Sequence, residues 1–347
     1  MEKLDIIASF VLSQTNIIKM KGTEEVSEKM FHIVISSKDE VICRDFKDYT
    51  TLENYICFAS YRSGDKILAY AVMSNHIHIA LVSTQPASFI RTLRLSYAMY
   101  FNGRYGRRGT ICGKYTYCME VCGYPQQKTV ISYILRNPMH HGICETPWQY
   151  PHSSISAYFR KSLSVNEPFT MDCGTAEPAG SGHKDILLRC GTSRVRFPVD
   201  KTGRVLLGKF INANRVEHIF RTARNFIHCT NRWNTEDWEK EQKRQFPEGE
   251  VFSLGNVEPE GITPLDTMRA YERASFQPHI SDLEICRHID RNILPRLGLT
   301  SYTKLNNRQK QDIVRELQQT YHIGSEQAYR CLGGSQISGH LPSPHTQ

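Results

Sequence analysis

Residues 69–82 read AYAVMSNHIHIALV, and two histidines near the end of that run could do chemistry. In a β-strand, residues i and i+2 point to one face. His76 and His78 therefore stand side by side, with Ile77 on the other face. Two imidazoles held this way can ligate a divalent metal. Alone, the pair fits a half-exposed strand with two unrelated histidines equally well. A second pair lies in residues 130–142, VISYILRNPMHHG. Tyr133 and Asn137 are four apart, so on a helix a phenol and an amide share one face about a turn from each other. That pair is also common at structural positions. The specificity lies in finding both pairs in one chain.

The elements that must position these groups can be read from periodicity and breakers. Met30 to Ser37 is β-branched and reads as a strand. Asp45 to Ser63 has a helical apolar period and stops at Gly64. Lys66 to Met73 and His76 to Ser83 are two strands joined by Ser74-Asn75, a hairpin. Pro86 to Tyr105 is a helix, and Thr110 to Val121 a strand or hairpin. Gln126 to Arg136 is a helix expected to end near Asn137, because Pro138 disfavours the α conformation in the residue before it. The order β-α-β-β-α-β-α implies an α+β sandwich, an antiparallel sheet with helices on one face.

The remainder of the chain changes texture. Residues 163–198 are rich in breakers and are expected to act as a linker. Residues 199–334 read as a mostly helical domain after a small hairpin around Asp200-Lys201-Thr202-Gly203. Helices are expected over Asn214 to Asn231, Ile262 to Phe276 and Ile280 to Leu297. A helix from Asn306, a break at His322-Ile323-Gly324 and a second helix capped by Ser325 have the spacing of a helix-turn-helix. An ordinary helical hairpin fits that spacing too. Residues 335–347 are expected to be a disordered tail.

Composition narrows the class. The 347 residues carry a formal net charge of +8, which suits a polyanionic partner. The 11 cysteines form no CxxC pair, as expected of a reduced cytosolic protein. A zinc site from Cys118, Cys122 and His140 or His141 has no common zinc spacing. No apolar run approaches the roughly 20 residues that span a bilayer, and no signal peptide is visible.

Several stretches, in order, resemble the single-tyrosine HUH transposases, within them the REP-associated tyrosine transposase branch. They are Phe31-His32-Ile33-Val34; the run from Ala69 to His78; Tyr100-Phe101-Asn102-Gly103-Arg104-Tyr105-Gly106 with Gly109 and Tyr115; Tyr133-Ile134-Leu135-Arg136-Asn137-Pro138 with Gly142; and Trp148 to Ser154 with Tyr158. They span about residues 25–160, so residues 1–162 are expected to be the catalytic domain. Ser74 departs from the family's usual proline and is expected only to loosen the turn. His140 and His141 have no assigned role.

The resemblance implies a ferredoxin-like antiparallel sheet with helices, the HUH endonuclease fold, plus an added C-terminal helical domain. It implies a metal-dependent nickase and strand transferase on single-stranded, hairpin-containing DNA, at work on the bacterial nucleoid in the cytoplasm. Tyr133 would be the nucleophile, forming a 5′-phosphotyrosine. His76, His78 and Asn137 would hold Mg²⁺ or Mn²⁺. Arg91, Arg94, Arg104, Arg107, Arg108, Lys114 and Tyr105 are the expected DNA contacts, combining phosphate pairing with base stacking. Both a homodimer and a monomer fit, with no membrane partner. Two other readings compete: a non-catalytic DNA-binding regulator, and a metal phosphodiesterase that does not need Tyr133.

Overall fold

In the computed structural model, residues 28–37, 40–112, 116–163, 184–231 and 280–334 are described. Lys114, the helix expected over 262–276 and the tail lie outside them. Four strands carry the candidate site: β1 (Lys29–Ser36), β2 (Lys66–Val72), β3 (His76–Ser83) and β4 (Thr116–Val121). They form an antiparallel sheet in the order β2-β3-β1-β4. The α+β class and ferredoxin-like sheet match the sequence reading. β4 is shorter than the strand or hairpin expected from Thr110. Ser74 and Asn75 form the two-residue turn between β2 and β3, closed by Met73 N donating to His76 O at 2.8 Å.

Every residue of β3 is buried. Its near-continuous apolar run is what a strand covered on both faces requires. Helices α1 (Phe46–Ser63) and α2 (Pro86–Tyr105) cover one face, where Leu52 and Leu93 meet Ile35 and Ile77. Helix α3 (Gly123–His140) covers the face carrying the histidines, bringing the Tyr133 ring to 5.4 Å from that of His78. Helices on both faces replace the one-sided sandwich expected from element order. Asp45 starts α1 by accepting from Asp48 N, and Gly64 ends it with φ 77°.

Helix α3 does not stop at Asn137; Pro138 lies inside it. A proline in a helix interior costs about 3 kcal/mol, because one backbone hydrogen bond is lost and the ring crowds the preceding turn. Packing offsets that cost, because every residue from Thr129 to Met139 is buried. Each large apolar side chain buried contributes roughly 1.5–3 kcal/mol. The helix closes beyond the proline with His141 N donating to Asn137 O at 3.0 Å. Tyr133 and Asn137 therefore both sit inside one continuous helix.

Strands β5 (Lys184–Cys190) and β6 (Ser193–Val199) form a hairpin where a linker was expected. Leu188, Phe197 and Val199 enter the same core as the four-stranded sheet. The turn at 200–203 is present, with Asp200 N donating to Arg204 O at 2.8 Å. Val216 and Phe220 of α4 (Ala213–Phe220) and Phe226 of α5 (Ala223–Thr230) extend that core. Residues 184–230 are thus continuous in packing with the sheet.

Residues 280–334 build a smaller core from Ile285, Ile289, Ile293, Leu317, Cys331 and Leu332, closed by Val41. Its helices are α6 (Asp282–His288), which runs on through a π turn at Ile289–Ile293, then α7 (Asn307–Tyr321) and α8 (Ser325–Cys331). Gly324, rather than Ser325, is the N-cap of α8. Glu326 is the only exposed residue of α8. Gln327, Ala328 and Cys331 are the buried residues of α8, and they pack the helix on the smaller core.

Arg44 fastens this smaller core to the larger one. Its side chain is fully buried, pairs with Asp290 through Nη2 at 2.8 Å, and donates to Cys331 O. It also stacks 4.0 Å from the Tyr302 ring centroid. Arg44→Ala would strand Asp290 and the Cys331 carbonyl. The expected loss is about 3–5 kcal/mol of unfolding free energy, read by urea denaturation. Earlier proteolytic release of 280–334 should accompany it, and unaltered stability would refute this role.

Candidate active site

The hairpin β2–β3 and helix α3 bring four polar side chains together. His76 Nε2 lies 3.2 Å from Asn137 Oδ1, although the two residues come from different elements. Asn137 Nδ2 donates to the Tyr133 hydroxyl at 3.4 Å. The His76 and His78 rings are 5.0 Å apart between centroids and nearly perpendicular. All four side chains are buried, and Tyr133 is 1% exposed. The structure therefore brings His76, His78, Tyr133 and Asn137 into one cluster.

Each His76 ring nitrogen faces an amide carbonyl oxygen, and a neutral imidazole donates to only one of them. Asn75 Oδ1 lies 2.8 Å from His76 Nδ1 and, as a carbonyl oxygen, can only accept. With the proton on Nδ1, towards the shorter contact, Nε2 is bare beside Asn137 Oδ1; with the proton on Nε2, His76 donates to Asn137 Oδ1 instead. Two electron-pair donors about 3 Å apart are spaced like neighbouring ligands of a cation with bonds of roughly 2.0–2.1 Å. His78 Nε2 is buried and has no hydrogen-bond partner. These residues fit a divalent cation held by two imidazoles and an amide oxygen. Among the described residues, no group of three or more His, Cys, Asp or Glu side chains could hold a metal ion.

Burial favours the neutral form of His78, His32 and His141. It pushes the pKa of His78 well below 6.5, and the neighbouring His76, His32, His141 and His140 push it further. Burial lowers His32 to about 3. His141 is depressed by burial and then by His76, His140 and Arg330. Its ring lies 5.2 Å from that of His76, and His140 lies 6.4 Å from Tyr133. The pair without an assigned role thus borders the cluster. Cys118 is on β4 and exposed, and Cys122 caps α3.

Ser74 does not loosen its turn. Its carbonyl accepts from Ile42 N and Cys43 N at 2.7 and 2.9 Å. Its hydroxyl donates to Asp282 Oδ2 at 2.8 Å. Asp282 also takes both Arg330 Nε and Nη2 at 3.0 Å and Gln327 Nε2 at 3.1 Å. Burial alone would raise the Asp282 pKa, but Arg330 and these hydrogen bonds carry it below the usual carboxylate value. The C-terminal helices thus grip the turn immediately before His76.

The expected DNA contacts divide. Arg104 is engaged by Asp45 and Asp48, and Arg107 by Glu40 at 2.8 Å. Tyr105 is no open stacking platform: its hydroxyl donates to Asp48 at 2.8 Å and its ring lies 5.7 Å from Tyr302. Arg94 is half-buried and donates to Cys112 O at 3.4 Å. Arg91 and Arg108 are exposed. Sequence reasoning gave no role to Asn75 or His32, although both touch the histidine pair. The signal for Asn75 was its adjacency to His76. For His32 it was the strand register, which a single sequence does not display.

Residues 25–137 match the family model described as "Transposase IS200 like". Among solved structures, a REP-associated tyrosine transposase bound to a REP hairpin is 14% identical. That match covers 42% of this chain and 87% of the other, with a TM-score of 0.33. A provisionally assigned transposase from Deinococcus radiodurans R1 is 15% identical, over 32% and 92% of the two chains, with a TM-score of 0.26. No curated protein matches the chain significantly.

The depressed histidines set a pH dependence. In the unfolded chain they titrate near 6.5, so below that pH the unfolded state binds more protons than the folded one. Stability is fully present above about 6.5 and falls with acidification, the His32 contribution continuing down to about 3. The urea midpoint should be level near pH 7.5 and drop towards pH 5, with a shallower drop in His78→Gln. A midpoint unchanged over that interval would contradict buried neutral imidazoles.

Proposed function

We propose, from the match of residues 25–137 to the IS200-like transposase model, that this chain nicks and rejoins single-stranded DNA through Tyr133. The observation that carries the reading is the convergence of the Tyr133 phenol, the Asn137 amide and the His76–His78 pair in one cluster. Hairpin-containing DNA is the proposed substrate, following the REP-associated branch that the sequence resembles.

His76, His78 and Asn137 would hold Mg²⁺ or Mn²⁺, which supplies neutralisation and orientation of the scissile phosphate. The rest is done by the chain. The Tyr133 oxygen forms a bond to phosphorus, and the bond from phosphorus to the 3′ oxygen breaks. The phenol proton is lost and the departing oxygen gains one, leaving a free 3′-OH and a 5′-phosphotyrosine. The phosphodiester energy is kept in the new ester, so a second 3′-OH can reverse the step without a nucleotide cofactor. Asn137, one turn from Tyr133, steers the phenol through its amide nitrogen while presenting its oxygen to His76. Because Tyr133 is buried, a phosphate reaches it only after the side chains over the cluster move aside. Arg91 and Arg108, being exposed, are the proposed phosphate contacts.

The test is covalent trapping of labelled hairpin DNA with Mg²⁺ or Mn²⁺ on a denaturing gel. Wild type should give a protein–DNA band that both Tyr133→Phe and His76→Ala lose, a fall of at least about a hundredfold for removing a nucleophile. DNA bound but never trapped would identify a regulator. Cleavage surviving Tyr133→Phe but not His76→Ala would identify a phosphodiesterase.

A further inference from the structure

We infer that His32 is a positioning residue for the metal: its Nε2 accepts the Nδ1 proton of His78, leaving His78 Nε2 bare and facing the cation. The inference rests on the metal site proposed above. His32 belongs to β1, and its ring stacks on that of His78 with centroids 5.4 Å apart and planes within 15°. His32 Nε2 and His78 Nδ1 are 3.2 Å apart. Both side chains are fully buried. Neither His32 Nδ1 nor His78 Nε2 has a hydrogen-bond partner.

Proton arithmetic makes this arrangement a two-state device. Two neutral imidazoles carry two N–H groups between them. One lies in the shared hydrogen bond, and the other must sit on one of the two outer nitrogens. If His78 donates, the outer proton is on His32 Nδ1 and His78 Nε2 is bare. If His32 donates, the outer proton is on His78 Nε2, and that nitrogen cannot ligate. Either state buries one unmet N–H, at a comparable cost, so the pair has no strong internal preference. A cation at His78 Nε2 selects the first state. His32 makes that state available by accepting the proton.

His76 is held in the same sense by a different group, with Asn75 Oδ1 on its Nδ1. A bare His76 Nε2 requires its proton to sit with Asn75, just as a bare His78 Nε2 requires its proton to sit with His32. Outer partners of ligating histidines are worth roughly 10–100-fold in metal affinity. Leucine at position 32 would leave the His78 Nδ1 proton unmet when Nε2 ligates and would remove the acceptor that raises the basicity of Nε2. Glutamine would restore an acceptor.

The experiment measures Mn²⁺ binding to the full chain by calorimetry without DNA, in wild type, His32→Leu and His32→Gln, with urea unfolding as the control for folding. The expected result is Mn²⁺ affinity lowered about 10–100-fold in His32→Leu and largely recovered in His32→Gln. A merely structural role would change the urea midpoint in both without this split. In wild type, ¹⁵N NMR of histidine with diamagnetic Mg²⁺ reads the tautomers directly, even if His32→Leu fails to fold. The proton should be on Nδ1 of both His78 and His32. A proton on His32 Nε2 in the loaded protein, or equal Mn²⁺ affinity in folded His32→Leu, overturns the inference. Metal binding that depends on His32 without covalent trapping would sink the nickase reading alone. A wild type that binds neither ion overturns both.

Discussion

The approach of His76 Nε2 to Asn137 Oδ1 at 3.2 Å is the contact on which the candidate site depends. It joins the sheet to α3, and it sets an imidazole nitrogen beside an amide oxygen at the spacing of two neighbouring ligands of one cation. Everything around it works to keep that approach fixed. Burial of β3 on both faces fixes where the imidazoles stand. Continuation of α3 through Pro138 keeps Asn137 in register with Tyr133. Asn75 offers the His76 proton an acceptor on Nδ1, the side away from the contact. Packing on both sides of the sheet holds the arrangement in place.

The C-terminal half belongs to this arrangement more closely than an appended module would. Residues 184–230 share the main core, and 280–334 hold the turn at Ser74 through Asp282. Arg330 carries a related strap, since its carbonyl accepts from Val41 N at 3.1 Å while its guanidinium holds Asp282. The turn that precedes His76 is thus fixed from the 41–43 segment on one side and from α6 and α8 on the other. Arg330 and Gln327, both on α8, are thereby engaged with Asp282, and Glu326 is the fully exposed residue of that helix.

Local pattern made much of the frame legible. The bounds of α2 at Pro86 and Tyr105, the Ser74-Asn75 hairpin and the His76–His78 pairing follow from period and turn chemistry, and the structure has them. The misreadings share a cause: tertiary packing outweighed a local rule. Pro138 disfavours helix, yet eleven consecutive buried residues carry α3 past it. Polar, breaker-rich 163–198 reads as a linker, yet Leu188 and Phe197 supply enough buried surface for a hairpin. His32 was visible only as a motif letter, because the register that places it beside His78 pairs residues 46 apart.

Charge follows the same logic. A cluster of arginines at 104–108 suggests a polyanion site when counted along the chain. In the fold, Arg104 and Arg107 meet Asp45, Asp48 and Glu40, and Arg44 and Arg330 meet Asp290 and Asp282. An ion pair removes one cation and one anion from the account, so these four arginines add nothing to the net charge of +8. That surplus is carried by other side chains, and exposed Arg91 and Arg108 are among those able to offer it to a phosphate. The arginines nearest the aromatic cluster hold the fold together. Any polyanion would meet the cations left outside these pairs, where salt screens them.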